Sequence, residues 1–249
     1  MLPASITAFV HSPLTFFVGG IALLFVLLYV GNALRVKRFY FVRHGRTILN
    51  VKRIRQGAEG GLDEAGKQQA ERVGVYLQGF EIEKIIASPY ERTKETATII
   101  NTHLHVPVFY SSLLAERRSP SEIIGKSSED PVSEAVMDRI DLSYHEDDYR
   151  YSDEENFQDL KLRVRRCLAL LARERGTALC CVTHSFILKM ILSYMLYGEK
   201  LHASDYARLS FFNPAGNAGI TICEYHPWKG MFSKDGGWTI LSYNAILEE

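Results

Sequence analysis

From Phe39 onward, short apolar runs of strand length alternate with longer stretches of helical period, and this alternation restricts the fold more than any other feature. Phe39 to Val42 and Lys84 to Ala87 read as buried strands, as do Val106 to Tyr110 and Ala178 to Val182. Asp63 is placed to cap a helix reaching about Gln78. Ser88-Pro89-Tyr90-Glu91 opens a second helix, with Ser as N-cap, Pro first in the helix and Glu third. Ser119 with Glu122 and Ser152 with Glu155 form two further capping boxes. The latter starts a long helix on which Phe157, Leu160, Val164, Leu168 and Leu171 share a face. Ser185 to Tyr197 is apolar nearly all round, hence a central helix. Two late strands are expected near Gly219 to Tyr225 and Trp238 to Tyr243. The pattern implies an α/β fold: a three-layer αβα sandwich with a mostly parallel sheet and helices on both faces.

A second feature precedes the domain. From Leu14 to Leu34 there is no charged residue, and the centre reads FFVGGIALLFVLLYVG. An apolar run of about 20 residues spans a bilayer as a helix. Gly19, Gly20 and Gly31 would weaken a soluble helix but are common in membrane helices. A cleaved signal peptide is the weaker reading, because no Lys or Arg precedes the run and no small-x-small cleavage site follows it. The expected organisation is a short tail over 1–13, a transmembrane helix over 14–34 and one domain over 35–249. Arg35, Lys37 and Arg38 follow the run, so the positive-inside bias puts the domain in the cytoplasm, close against the membrane surface.

Lysines plus arginines number 29 and acidic residues 29, a neutral balance that gives no general reason to expect nucleic-acid binding. The cysteines Cys167, Cys180, Cys181 and Cys223 show no CxxC spacing and read as buried free thiols in a reducing compartment. Cys180 and Cys181 should point to opposite faces of one strand. The stretch 129–159 is strongly acidic and reads as a solvated insertion, or as a lid that selects substrates. His103 and His105 suit a helix-to-strand turn better than a metal pair. The glycines over 57–61 lack the Lys-Ser/Thr of a phosphate-binding nucleotide loop.

The chemistry gathers at strand ends, where α/β sheets build their sites. Phe41 to Asn50 follows the first strand, Ser88 to Arg92 the second, Leu114-Ala115-Glu116 the third, and Val182-Thr183-His184 closes the strand at Ala178. Among their side chains are the histidines His44 and His184, the arginines Arg43 and Arg92 and the carboxyl group of Glu116. Phosphoryl transfer needs a nucleophile, cationic donors around the equatorial oxygens and an acid for the leaving group. Neutral imidazole is nucleophilic, and guanidinium matches phosphate geometry. A carboxyl group can protonate the leaving oxygen and then activate water. The set requires no metal and no cofactor.

Arg43-His44-Gly45, Thr47, Asn50 and the Gln56-Gly57 pair resemble the signature of the histidine phosphatase superfamily, the phosphoglycerate-mutase-like group. Leu62, Gly66, Gln69 and Ala70 fit its next motif, and Ser88-Pro89 with Arg92, Thr96 and Ala97 resembles its second arginine motif. Leu114-x-Glu116 is similar to its acid motif and Val182-Thr183-His184 to its second-histidine motif, with Ser185 where glycine is usual. Glu155 with Arg163 resembles its E-S helix, with Asn156 in place of serine, and Asn217-Ala218-Gly219 resembles the turn before its last core strand. The resemblance implies His44 as nucleophile and Glu116 as proton donor. It also implies that Arg43, Arg92 and His184 bind the transferring phosphoryl group, with Asn50, Gln56 and Gly57 at the substrate. The expected activity is hydrolysis of a phosphorylated small molecule or phosphoprotein through a phosphohistidine. A phosphoglycerate-type mutase, or a membrane-bound module that binds phosphate without turnover, are the competing readings.

Overall fold

The computed structural model describes Val18, Gly31 and residues 35–143, 145–211, 215–230 and 236–247. The expected tail and transmembrane helix therefore lie outside the described residues apart from Val18 and Gly31. Among the described residues no helix is long and apolar enough to cross a membrane. The chain divides at Val36, and Lys37–Glu249 forms one compact unit.

That unit is built on a six-stranded sheet. Its strands are β1 (Lys37–Arg43), β2 (Lys84–Ala87), β3 (Val108–Tyr110), β4 (Ala178–Thr183), β5 (Ile220–Tyr225) and β6 (Trp238–Ala245), in the spatial order β3-β2-β4-β1-β5-β6. The first four are parallel, whereas β5 runs antiparallel to β1 and β6 antiparallel to β5. The sheet is thus mixed: four strands run parallel, as expected, and the two at one edge pair antiparallel. Among the described residues no long crossover helix separates β5 from β6, in keeping with their antiparallel pairing.

The helices are α1 (Ile48–Val51), α2 (Glu64–Leu77), α3 (Glu91–Leu104), α4 (Pro131–Leu142), α5 (Phe157–Arg173), α6 (Ser185–Tyr197), α7 (Ala203–Phe211) and α8 (Pro227–Gly230). Strand alternation sorts the core into two layers. Tyr40, Val42, Ile85, Ala87, Cys180 and Val182 pack with Val73 and Leu77 of α2 and Ala97 and Ile100 of α3. Phe39, Phe41, Ile86, Leu179 and Cys181 pack on the other face against α5 and α6. Cys180 and Cys181 therefore do face opposite ways, and all four thiols are free and buried.

Several helix starts differ from expectation. Asp63 caps α2 as read, accepting from the Gly66 N–H at 2.7 Å. Ser88 does not cap α3; Tyr90 holds that position, and the Ser88 hydroxyl pairs with His184. Near Ser119 there is one 3-10 turn, Ser121–Ile123, whose first N–H donates to Asp153 at 2.9 Å. α5 begins at a capping box of Asn156 and Asp159, not Ser152 and Glu155. The β3 strand starts only at Val108, because Pro107 has no N–H to give and offers its carbonyl to Ile85. His103 pairs with Glu71, and His105 ends α3 in the left-handed region at φ 53°. The acidic stretch 129–159 holds α4, capped by Asp130, whose Val136 and Ile140 form a small cluster with Ile123.

Lys37 and Arg38, read as flanking a membrane, are engaged in the domain. Lys37 Nζ donates to the carbonyls of Ala172 and Glu174 at 2.7 and 2.6 Å, and Arg38 pairs with Glu224 at 2.5 Å.

One close approach sets the loop after β1. A Cβ on Gly66 would lie 2.0 Å from the Arg46 carbonyl oxygen, and one on Gly45 would lie 2.4 Å from the Gly66 carbonyl oxygen. Both obstacles are backbone. In an ordinary helix Gly→Ala gains about 1 kcal/mol. Here Gly66→Ala is expected to destabilise by about 3 kcal/mol instead, because the loop must move off α2. The denaturant midpoint checks this, and a higher midpoint would contradict it.

Candidate active site

Three strand ends converge at the carboxyl edge of the parallel strands. β1 delivers Arg43 and His44, the β2–α3 junction Ser88, Tyr90 and Arg92, and the end of β4 His184. The His44 loop is held through its own backbone on two sides. The His44 N–H donates to Thr183 at 3.0 Å, and the His44 carbonyl accepts from Ala218 N at 3.2 Å and from the Asn217 side chain at 3.1 Å. The Gly45 N–H donates to Thr96 at 3.0 Å and the Arg46 N–H to Gln69 at 2.9 Å. The residues of the glycine and threonine motifs thus brace the loop from α2 and α3.

The two imidazole rings lie with centroids 5.2 Å apart. His44 is 4% exposed, His184 0% and Arg92 2%, so the site is deep. His44 Nδ1 lies 2.8 Å from the Gly45 carbonyl. A carbonyl only accepts, so Nδ1 carries the proton and Nε2 carries the lone pair. Burial, followed by the charges of Arg43 and Arg92, holds the His44 pKa well below the ordinary histidine range, against the Gly45 bond that raises it. His184 is held well below that range in the same way, by burial first and then by His44, Arg92 and Arg43. Both rings are therefore neutral at neutral pH.

The arginines are fixed but incompletely satisfied. Arg43 Nη1 donates to the Ala215 carbonyl. Arg92 Nη1 donates to the Gly57 carbonyl at 2.8 Å, and its guanidinium carbon lies 5.1 Å from the centre of the Tyr90 ring. The Nε atoms of both arginines and Nδ1 of His184 are buried without a hydrogen-bond partner. Each such orphaned polar group costs about 1–3 kcal/mol. An anion with several oxygens would satisfy all three at once.

Glu116 sits at the N-terminus of α6. Its carboxylate accepts from Phe186 N at 3.2 Å, Ile187 N at 3.1 Å and Arg117 N at 3.0 Å. A helix N-terminus favours a negative group. Its charge in turn raises the pKa of both Arg43 and Arg92 against the lowering by burial, which places it beside them. The loop carrying it is pinned by Arg163, whose Nη1 donates to the Ala115 carbonyl at 2.6 Å and which pairs with Glu155 through both its Nε and Nη2 at 2.8 Å. Glu155 is therefore no helix cap but a brace behind the Glu116 loop.

Asn50, Gln56 and Gly57 make contacts of another kind. Asn50 Oδ1 accepts from Thr47 N at 3.2 Å within the α1 capping box and from Asn217 at 3.3 Å. Gln56 Oε1 accepts from Thr47 at 3.2 Å. The Gly57 carbonyl holds Arg92. These bonds use the oxygens of the three residues to brace the site, and leave the amide NH2 groups of Asn50 and Gln56 and the Gly57 N–H out of them. Asn217 and Arg163, placed in family motifs by the resemblance, join the site, and Tyr90 emerges beside them only in the folded chain. Tyr90 packs edge-on to His184 at 5.1 Å between centroids. Its position inside the Ser88–Arg92 segment was the one signal of this in the sequence.

Residues 39–243 match the family model described as histidine phosphatase superfamily (branch 1). The chain belongs to the histidine phosphatase superfamily. A Saccharomyces cerevisiae protein named as a broad-specificity phosphatase is 28% identical over 198 residues, covering 76% of this chain and 79% of the relative. The Salmonella arizonae protein named "Probable phosphoglycerate mutase GpmB" is 33% identical over 204 residues, covering 81% and 89%. Among solved structures, a mycobacterial glucosyl-3-phosphoglycerate phosphatase in complex with VO3 matches with a TM-score of 0.68 at 21% identity. It covers 84% of this chain and 99% of that one, a likeness of fold. The membership makes this chain a histidine-dependent phosphatase.

The depressed pKa values have a signed consequence. A His44 that stays neutral well below the usual value of about 6.5 remains a nucleophile there. After allowance for the substrate's own ionisation, kcat/KM should hold level as pH falls through 6.5 and drop only at lower pH. An acid limb centred at or above 6.5 would contradict this electrostatic account.

Proposed function

We propose that this phosphatase hydrolyses phosphomonoesters through a covalent phosphohistidine on Nε2 of His44, without a metal. The observation that carries the reading is the tautomer lock. Nδ1–H donates to the Gly45 carbonyl, so the Nε2 lone pair is free, beside the His184 ring and within the field of the Arg43 and Arg92 charges. Nε2 attacks phosphorus, the P–O bond to the substrate breaks, and Glu116, which enters this step as the carboxylic acid, gives its proton to the leaving oxygen. Glu116 then takes a proton from water, which attacks the phosphohistidine and releases inorganic phosphate with His44 restored. Arg43, Arg92 and His184 hold the equatorial oxygens. Asn50, Gln56 and Gly57 bind on the substrate side through their N–H donors, while their oxygens keep Thr47 and Arg92 in place. The substrate is a phosphorylated small molecule or a phosphoprotein.

The test uses the full chain with an aryl phosphate and with a phosphoglycerate. Release of inorganic phosphate from both is the expected result. Isomerised phosphoglycerate in excess of phosphate would reject hydrolysis in favour of a mutase. Failure to act on either would favour a binding module.

We propose further that residues 14–34 tether the enzyme to a membrane as a single helix, with the catalytic domain in the cytoplasm. The support is the uncharged run, the Lys- and Arg-free segment before it and Arg35 directly after it. The full chain should stay in the membrane pellet through alkaline carbonate washing and leave it only with detergent. In sealed vesicles of known orientation, protease should reach the domain only from the cytoplasmic face. Release by carbonate would remove the tether, and cleavage from the opposite face would reverse its orientation.

A further inference from the structure

Nothing in the account above uses Ser88 chemically, yet its hydroxyl lies 2.8 Å from Nε2 of His184 in a fully buried contact. The Tyr90 N–H approaches the same oxygen at 3.4 Å, as a weak donor. Two proton arrangements fit the 2.8 Å contact. If Nε2–H donated to Ser88, the buried Ser88 hydroxyl would have a proton with no acceptor, and His184 Nδ1 would be a bare lone pair. That lone pair would stand in a pocket prepared for an anion. If the Ser88 hydroxyl donates to Nε2, every proton at this contact is used, and Nδ1 carries N–H. Buried hydroxyl donors go unsatisfied only rarely, which selects the second arrangement.

We infer that Ser88 is a positioning residue, whose hydroxyl donates to His184 Nε2 and so fixes the tautomer that presents Nδ1–H to the transferring phosphoryl group. The inference rests on the phosphohistidine reading for its catalytic consequence, but not for the tautomer itself. Its geometry is the counterpart of the Gly45 lock on His44. One ring is held with its lone pair available to attack, and the other with its proton available to donate. Nδ1 of His184 is buried without a partner, as a donor reserved for a bound oxygen would be. The edge-on Tyr90 ring packs against His184 and opposes a flip of the imidazole, which would put carbon atoms where Nδ1 and Nε2 now stand.

The tautomer is measured on the full chain, labelled with nitrogen-15 histidine and held in detergent micelles, with inorganic phosphate as the probe. His184 should show a protonated Nδ1 and an unprotonated Nε2, with the Nδ1 signal moving as phosphate is added. Ser88→Ala should blur that preference and lower kcat/KM on an aryl phosphate on the order of tenfold, one hydrogen bond's worth. Ser88→Thr, which keeps the hydroxyl, should restore most of it. In a His184→Ala background, Ser88→Ala should produce no additional loss. An Nε2-protonated His184 in the unaltered chain overturns the inference, whether or not the variants fold. So does an additive effect of the two substitutions. A chain that shows the expected tautomer and binds phosphate but turns nothing over would instead sink the hydrolytic reading.

Discussion

Replacing His44 with Ala should lower turnover by at least about 10⁴-fold and leave the fold in place, as loss of a covalent nucleophile does. The separation of the two effects follows from how the loop is held. His44 is fixed by its backbone N–H to Thr183 and by its carbonyl to Asn217 and Ala218, and none of these bonds needs the ring. The ring contributes the bond to the Gly45 carbonyl and the contact with His184. Losing that bond costs about 1–3 kcal/mol at most, and removing a desolvated imidazole from between two arginines offsets part of it. Thermal melting should therefore stay cooperative, and inorganic phosphate should still bind to Arg43, Arg92 and His184. His44→Asn, nearer in size, guards against a packing artefact. Activity near that of the unaltered chain in both variants would reject His44 as the nucleophile.

Arg92→Ala should produce the second largest loss, about 10³-fold in kcat/KM, comparable with removal of a charged donor from a water-poor site. Arg92 is buried, carries an orphaned Nε, and is aimed by the Gly57 carbonyl on one side and the Tyr90 ring on the other. Its charge also helps hold both histidines neutral, so its removal should shift the acid limb of the pH profile upward. That second readout separates Arg92 from a merely structural arginine. Arg92→Lys should rescue poorly, since an ammonium cannot reach Gly57 and an equatorial oxygen in one plane. Full rescue by lysine would mean that charge alone matters here.

Much of this was legible in the chain itself, and the exceptions have physical causes. The strand at Ala178, the helix at Ser185 and the opposed cysteines follow from local period, which tertiary contacts did not override. Asp63 caps its helix because no distant group competes for it beyond Arg46, which pairs with its other oxygen. Ser88 and Glu155 failed as caps because His184 and Arg163, far along the chain, claim their side chains. The antiparallel edge at β5 and β6 depends on a connection without a crossover helix, and alternation of elements does not register that. The residue types of the active site were readable from strand ends. The tautomer lock on His44, the brace behind Glu116 and the bond between Ser88 and His184 join residues through backbone geometry and long-range contact that no local pattern records.

The most direct test is to trap the intermediate. The full chain is mixed with a phosphorus-32-labelled phosphomonoester, quenched in alkali within its first turnovers and digested for peptide mapping. Label stable to alkali, lost in acid and confined to the peptide containing His44 is the predicted outcome, absent in His44→Ala. Phosphate release at full rate with no label on that peptide, or label on a different side chain, would contradict it.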